Sequence, residues 1–132
     1  SLGQGSWCNN KRLRVSKRHD LTNCLIGTGI PFGNRIYKNF YKELDNVSKK
    51  SAGVRRLGAA ALDLAYVASG KIDGFWERDL NLWDISSGVL LVKEAGGKIT
   101  EPDGKKWTTN SRDIVVSNSL IHKKLTENLT LL

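Results

Sequence analysis

The sequence predicts an α/β fold in which a mixed sheet is covered by helices. Short strand-like segments alternate with helical segments along all 132 residues, and such alternation is typical of sheets layered with helices. Two of the helical segments, residues 59–69 and 84–95, are apolar on most faces. Helices of this kind are buried on more than one side. Together these observations favour a layered α/β architecture.

Each element has a local signal in the chain. The Asn-Asn pair at 9–10 predicts the turn of a hairpin within residues 1–18, with apolar Leu13 and Val15 in its second strand. Residues 34–50 are predicted to form an amphipathic helix, because apolar side chains recur there at the spacing of one helical face. The other strands are predicted at residues 24–30, 54–57, 72–77, 98–100 and 114–117, and a closing helix at 119–129.

The chain is basic, with a formal net charge of +8. A basic protein attracts anions such as nucleic acid, acidic lipid or phosphorylated small molecules. Because no aromatic residues are interleaved with the densest basic stretch, that stretch favours a solvated hairpin face over a nucleic-acid-binding surface. The residues of this basic stretch are Lys11, Arg12, Arg14, Lys17 and Arg18.

Features of other protein classes are missing from the sequence. No apolar run approaches the roughly 20 residues that cross a bilayer, and the N-terminus has no signal-peptide pattern, so we expect a cytoplasmic protein without a membrane partner. Cys8 and Cys24 are then expected to be buried thiols, with a single disulfide as the alternative. Neither cysteine is close to His19 or His122 in the sequence, so no zinc site is predicted.

Asp84 stands where a loop becomes the second buried helix. One interpretation is a helix N-cap, whose carboxylate accepts hydrogen bonds from the amides of Ser86 or Ser87. The other is a ligand for a hard cation such as Mg²⁺, which prefers carboxylate oxygens. The two interpretations are compatible, because one oxygen can cap the helix while the other coordinates the metal.

Small residues, namely Gly58, Ala59 and Ala60, stand where a strand passes into the first buried helix. They allow a ligand to approach backbone amides at the positive end of the helix dipole. The alternative, equally open, is that they allow the helix to pack closely on the sheet.

Two further carboxylates stand out. Glu77 ends a strand, and it is either a surface charge beside Arg78 or a group aimed at substrate hydroxyls in a cleft. Asp63 lies in the first buried helix, where we expect it to satisfy a nearby amide or cation rather than to do chemistry.

In this order and spacing, these places resemble the C-terminal half of the inositol monophosphatase family. The most specific feature is the Trp83-Asp84 pair followed by the Glu-Ala-Gly-Gly run at 94–97. The resemblance covers nearly the whole chain, in segments 3–10, 13–16, 53–70, 73–77, 83–88 and 94–97.

The resemblance implies a layered sugar-phosphatase-type fold and hydrolysis of small phosphate monoesters, typically inositol monophosphate, with Mg²⁺ as cofactor. It also implies inhibition by lithium and a homodimer. Asp84 would be a metal ligand that touches substrate, and Glu77 would accept hydrogen bonds from inositol hydroxyls. Gly58, Ala59 and Ala60 would form a helix start that contacts substrate. Many members carry Thr or Ser where this chain has Ala59, which leaves the substrate preference open.

The family's other metal ligands come from an upstream Glu and from an Asp-Pro-Ile/Leu-Asp-Gly-Thr motif, and no such motif occurs in this sequence. One carboxylate cannot hold the metal ions that neutralise the phosphoryl charge and generate the nucleophile. We therefore expect residues 1–132 to be the C-terminal portion of the domain, with the N-terminal metal-binding half absent. This chain alone would be inactive, and the activity would belong to an intact parent protein.

Two alternatives to this interpretation stay open. The first is a basic module of the same fold that binds RNA or a protein partner. The second is the same fold acting on another sugar phosphate or on a nucleotide phosphate.

Overall fold

The computed structural model describes residues 6–8, 11–29, 40–80 and 85–130. In this part of the chain a hairpin is followed by five further strands and four α-helices. The hairpin strands are β1 (Ser6–Cys8) and β2 (Lys11–Leu13), and the other strands are β3 (Leu25–Thr28), β4 (Gly53–Arg55), β5 (Gly74–Glu77), β6 (Lys98–Thr100) and β7 (Ile114–Ser117). The helices are α1 (Phe40–Lys50), α2 (Ala60–Ala68), α3 (Ser86–Glu94) and α4 (His122–Thr130).

The five later strands form one mixed sheet in the order β4-β3-β5-β7-β6. β3 pairs in parallel with both β4 and β5, whereas β7 pairs antiparallel with both β5 and β6. The hairpin β1-β2 is a separate antiparallel pair. The mixed sheet covered by helices that the sequence predicts is therefore confirmed.

Helices cover the sheet on two sides, and alternation along the strands separates the two cores. Phe75 of β5 and Val116 of β7 pack with α2 and α3 in one apolar cluster. Trp76 and Val115, their immediate neighbours in the chain, pack with α1 and α4 in the other. Successive side chains of a strand point to opposite faces, so each strand supplies both cores. All four of these side chains are buried.

Two elements are shorter than the sequence predicts, because local hydrogen bonds hold the preceding residues in turns and the elements begin later. The amide of Ile72 binds the carbonyl of Tyr66 in the turn after α2, so β5 begins at Gly74 rather than at residue 72. Asn118 accepts a hydrogen bond from the Ile121 amide at 3.2 Å, so α4 begins later than residue 119. Residues 34–39 of the first predicted helix lie outside the described residues.

Among the described residues, no helix has the length and apolar character that crossing a bilayer requires.

Candidate functional site

The start of α2 is open and has no side-chain cap. Gly58 has a φ of +91°, and apart from its chain neighbours no described residue has a heavy atom within 4 Å of the position that a Cβ would take there. Ala59 occupies the N-cap in an extended conformation without a side-chain hydrogen bond. Its carbonyl accepts hydrogen bonds from the amides of Leu62 and Asp63, each at 3.1 Å. The glycine is therefore needed for its backbone conformation and not for close packing.

Ala60 differs from the two residues before it. It is partly buried and packs against the apolar cluster beneath α2 and α3, whereas Gly58 and Ala59 are exposed. The two interpretations of this segment thus separate by residue. Ala60 packs against the core, and the exposed pair leaves the helix N-terminus open to a ligand. The predicted contact of all three residues with substrate stays a prediction.

Glu77 ends β5 and is partly buried. Its carboxylate lies above Gly29, the residue that follows β3, so closely that a Cβ on Gly29 would overlap it. The Glu77 side chain therefore packs onto the backbone at the end of β3 instead of extending into solvent as a free surface charge.

Arg78 points into an ionic cluster that ties the end of β5 to α1. Its Nη1 lies 3.0 Å from Oδ2 of Asp113, its Nε lies 3.4 Å from Oε1 of Glu43, and its Nη2 donates to Oε2 of Glu43. The indole Nε1 of Trp76 donates to the same Glu43 carboxylate at 3.3 Å. The sequence did not indicate this cluster, which anchors the residue next to Glu77.

Asp63 is buried in the first turn of α2, with 1% of its surface exposed. Its Oδ1 has no hydrogen-bond partner in the described part of the chain. The expectation that a nearby amide or cation satisfies Asp63 is therefore wrong for this oxygen. The physical reason is that the backbone of β3, which lies beneath it, is engaged in the ladders with β4 and β5.

The environment of Asp63 raises its pKa to about 7, first because burial disfavours the charged form and second because the Glu77 charge repels it. A Cβ on Gly27 would overlap Asp63 and one on Gly29 would overlap Glu77, so the first turn of α2 lies beside the end of β5. The predicted roles of Glu77, Gly58 and Ala59 in binding substrate stay predictions.

Asp84 lies outside the described residues, so its predicted roles as metal ligand and substrate contact stay predictions. The N-cap of α3 is Ile85, one residue after the position predicted for the cap, and it makes no side-chain cap bond. Within the described ranges, no three His, Cys, Asp or Glu side chains come together to hold a metal ion. The described residues alone therefore do not form the Mg²⁺ centre that the resemblance implies.

In the basic stretch, Arg14 and Lys17 are exposed, as predicted for a solvated face, whereas the side chains of Lys11 and Arg12 lie outside the described residues. Arg18 differs from Arg14 and Lys17 in having a partner within the described part of the chain, because its Nη1 lies 3.1 Å from the buried Asp73 carboxylate.

Cys24 is a free buried thiol, and burial together with the Asp73 charge raises its pKa to about 12. The thiol prediction is thus confirmed for Cys24, whereas the side chain of Cys8 lies outside the described residues.

The sequence analysis did not predict three residues of this region, namely Asp63 as a neighbour of Glu77 and the glycines Gly27 and Gly29 beneath the two acids. A signal for them exists in the chain. Gly27 and Gly29 are two positions apart in a strand segment, so they share a face, and an isolated Asp in an apolar helix needs an explanation.

A family model, curated relatives and solved structures all relate this chain to the same family. The model of the inositol monophosphatase family matches residues 1–131. An inositol-1-monophosphatase of Mesorhizobium japonicum is 47% identical over 93% of this chain and 47% of its own length. A putative Nus factor SuhB of Neisseria meningitidis is 46% identical over 89% of this chain and 46% of its own length.

The solved structure of an inositol monophosphatase from Anabaena superposes with a TM-score of 0.92 at 38% identity, covering 98% of this chain and 52% of that one. The chain thus spans about half the length of the curated relatives it matches.

Proposed function

Because the chain belongs to the inositol monophosphatase family, we propose that it is the C-terminal half of a phosphatase that hydrolyses small phosphate monoesters, most directly inositol monophosphate. The observation that carries this proposal is the exposed, uncapped start of α2, a helix whose first turn lies beside the end of β5, where Glu77 stands. A helix N-terminus attracts an anionic group, and a carboxylate accepts hydrogen bonds from hydroxyls. A sugar phosphate presents both kinds of group.

Each residue of the proposed site has a role that follows from its chemistry. The exposed backbone at Gly58 and Ala59 faces the substrate near the helix start, and Glu77 accepts hydrogen bonds from ring hydroxyls. Asp84 would supply one carboxylate oxygen to Mg²⁺, with the remaining ligands coming from a preceding half of the protein. When bound, the metal would neutralise phosphoryl charge and generate the attacking hydroxide.

We extend the proposal to the family traits of a cytoplasmic homodimer inhibited by lithium. These traits rest on the family relationship and on no contact within the described residues.

The test compares this chain with the intact protein, meaning the longer chain that we propose carries this sequence. Phosphate release from inositol monophosphate is measured at millimolar Mg²⁺, with and without a chelator. We expect metal-dependent turnover by the intact protein and none by residues 1–132 alone. Turnover by the purified 132-residue chain at the rate of the intact protein would contradict the half-site proposal.

A second candidate function is binding to RNA or to a protein partner. It is favoured by the exposed cations Arg14 and Lys17 and by the name of the Neisseria relative, a putative Nus factor. Binding of the intact protein to RNA is measured as salt is raised. Counterion release predicts a steep loss of affinity for an electrostatic RNA site, and no RNA binding at low salt would remove RNA as the partner.

A further inference from the structure

Two carboxyl groups lie above glycines, one within β3 and one directly after it. Asp63 sits above Gly27, where a Cβ would overlap its Oδ1 and lie 3.4 Å from its Cγ. Glu77 sits above Gly29, where a Cβ would overlap its carboxylate and lie 3.0 Å from its Cγ. Residues two apart in a strand share a face, and Glu77 is two residues after Phe75, which packs with α2. Both acids therefore lie on the α2 side of the sheet, where the two glycines leave room for them.

This arrangement needs a reason, because like charges in a buried place repel each other. Asp63 is almost fully buried, with an unpartnered Oδ1, whereas Glu77 is partly exposed at the end of its strand. A shared cation would remove the repulsion, but the described residues bring no third acidic, His or Cys ligand to the pair. A proton on Asp63 also removes it and requires no further ligand.

We propose that Asp63 is a positioning residue for the sugar-binding step, which acts through Glu77 by holding it above Gly29 while Asp63 itself stays neutral. This inference rests on the proposed function, in which Glu77 binds substrate hydroxyls. When Asp63 loses its proton, the added negative charge repels Glu77 and weakens the hydrogen bonds between Glu77 and the substrate hydroxyls. The preference for a hydroxylated substrate therefore depends on the proton of Asp63.

The charges around Asp63 are consistent with this role. β3 and β7, which pack against α2, contain no acidic or basic residue. On β5 the acid is Glu77, and Asp73 just before that strand is engaged by Arg18, Ser16 and the Leu25 amide. The charged residues of α3 are Lys93 and Glu94, in its last turn. Of all these, Glu77 is the group whose charge raises the pKa of Asp63.

The test uses the intact protein and two substrates, inositol monophosphate and an aryl phosphate that has no ring hydroxyls. The kcat/KM ratio of the two substrates is measured from pH 5.5 to 8.5, because a ratio cancels ionisations that affect both reactions equally. In the wild-type protein the ratio is expected to fall by about tenfold, the effect of one like charge at close range. The midpoint is expected near the pKa of about 7 that burial and Glu77 give Asp63.

Matched variants separate positioning from a general structural effect. Asp63→Asn keeps the shape of the neutral acid but cannot ionise, so its ratio is expected to stay high and flat across this range. Asp45→Asn, at an exposed acid of α1, is expected to keep the wild-type step. A flat ratio in the wild-type protein, or an unchanged step in Asp63→Asn, would overturn the proposal.

A second readout does not depend on activity. Carbon-13 NMR of the Asp63 carboxyl in the intact, metal-free protein is expected to titrate near pH 7. In Glu77→Gln the midpoint is expected to fall but to stay above the ordinary value of 3.8, because burial is the larger cause. A wild-type midpoint near pH 4 would contradict the inference even if both substrates are hydrolysed. Conversely, a protein that hydrolyses neither substrate but shows the raised midpoint would refute the proposed function and not the neutral state of Asp63.

Discussion

Replacing Arg78 by methionine removes the cation that neutralises a carboxylate buried beneath the sheet. Glu43 has no exposed surface, and the side chain of Arg78 is 12% exposed. Removal of one partner of such a pair leaves an uncompensated buried charge, which costs about 3–5 kcal/mol. We therefore expect Arg78→Met to lower the free energy of unfolding by about that amount.

The cost should depend on pH, with a sign that follows from Glu43. Burial raises the pKa of Glu43 above its ordinary value of 4.5, although the bonds and charge of Arg78 oppose this. A raised pKa means that the folded protein holds the proton more tightly than the unfolded chain does, so the contribution of Glu43 to stability is lost as pH rises above about 4.5. Without Arg78 the pKa rises further, so the variant should lose more stability at pH 8 than at pH 5.

The assay is urea unfolding of the intact wild-type protein and the variant at pH 5 and pH 8. The control is Lys49→Met, which removes an exposed pair with Asp45, its partner at 2.9 Å. Pairs of that kind contribute about 0.3–0.5 kcal/mol. The reasoning is refuted if Arg78→Met costs no more than the control, or if its cost is the same at both pH values.

Three further outcomes are expected in the intact protein. Asp84→Asn should nearly abolish phosphate release without changing the circular dichroism spectrum, because asparagine has the size of aspartate but lacks the charge that binds Mg²⁺; full activity would show that Asp84 is not a metal ligand that the reaction needs. Gly27→Ala should lower the urea stability by about 1–3 kcal/mol through overlap with a buried carboxyl, and Gly53→Ala, whose Cβ would meet the flexible end of an arginine, should cost less. Burial and the Lys98 charge lower the pKa of His122 to about 4, so the unfolded chain binds the His122 proton more tightly than the folded protein does. The urea midpoint should therefore fall as pH drops from 6.5 to 4, and His122→Gln should flatten that fall.

The layered architecture could be predicted from the sequence because it depends on local pattern. Adjacent residues such as Phe75 and Trp76 reach opposite cores simply because they are neighbours in a strand. The helix starts were less predictable. Ile85 occupies the N-cap of α3 although it has no capping group, so the usual residue preferences gave the wrong position.

The part of the site that the sequence could not predict depends on residues far apart in the chain. Arg78 follows Glu77, which suggested a local pair, yet its partner Glu43 lies 35 positions away. Asp63 was expected to be a satisfied helix residue. Its actual neighbour is Gly27, in a strand on which the helix packs, and the local sequence does not reveal that contact. Charge and burial of this kind are set by tertiary contacts, which no local pattern contains.

The central claim is that this chain contributes the hydroxyl-binding side of a phosphatase site through Glu77. The most direct test is Glu77→Gln in the intact protein, assayed on inositol monophosphate and on an aryl phosphate, with Glu127→Gln as an exposed control. A hydrogen bond to a charged acceptor contributes about 1.5–3 kcal/mol, or about ten- to a hundredfold in kcat/KM. Because glutamine keeps one acceptor oxygen, we predict about a tenfold loss on inositol monophosphate and little loss on the aryl phosphate. Equal losses on both substrates, or none on either, would contradict the claim.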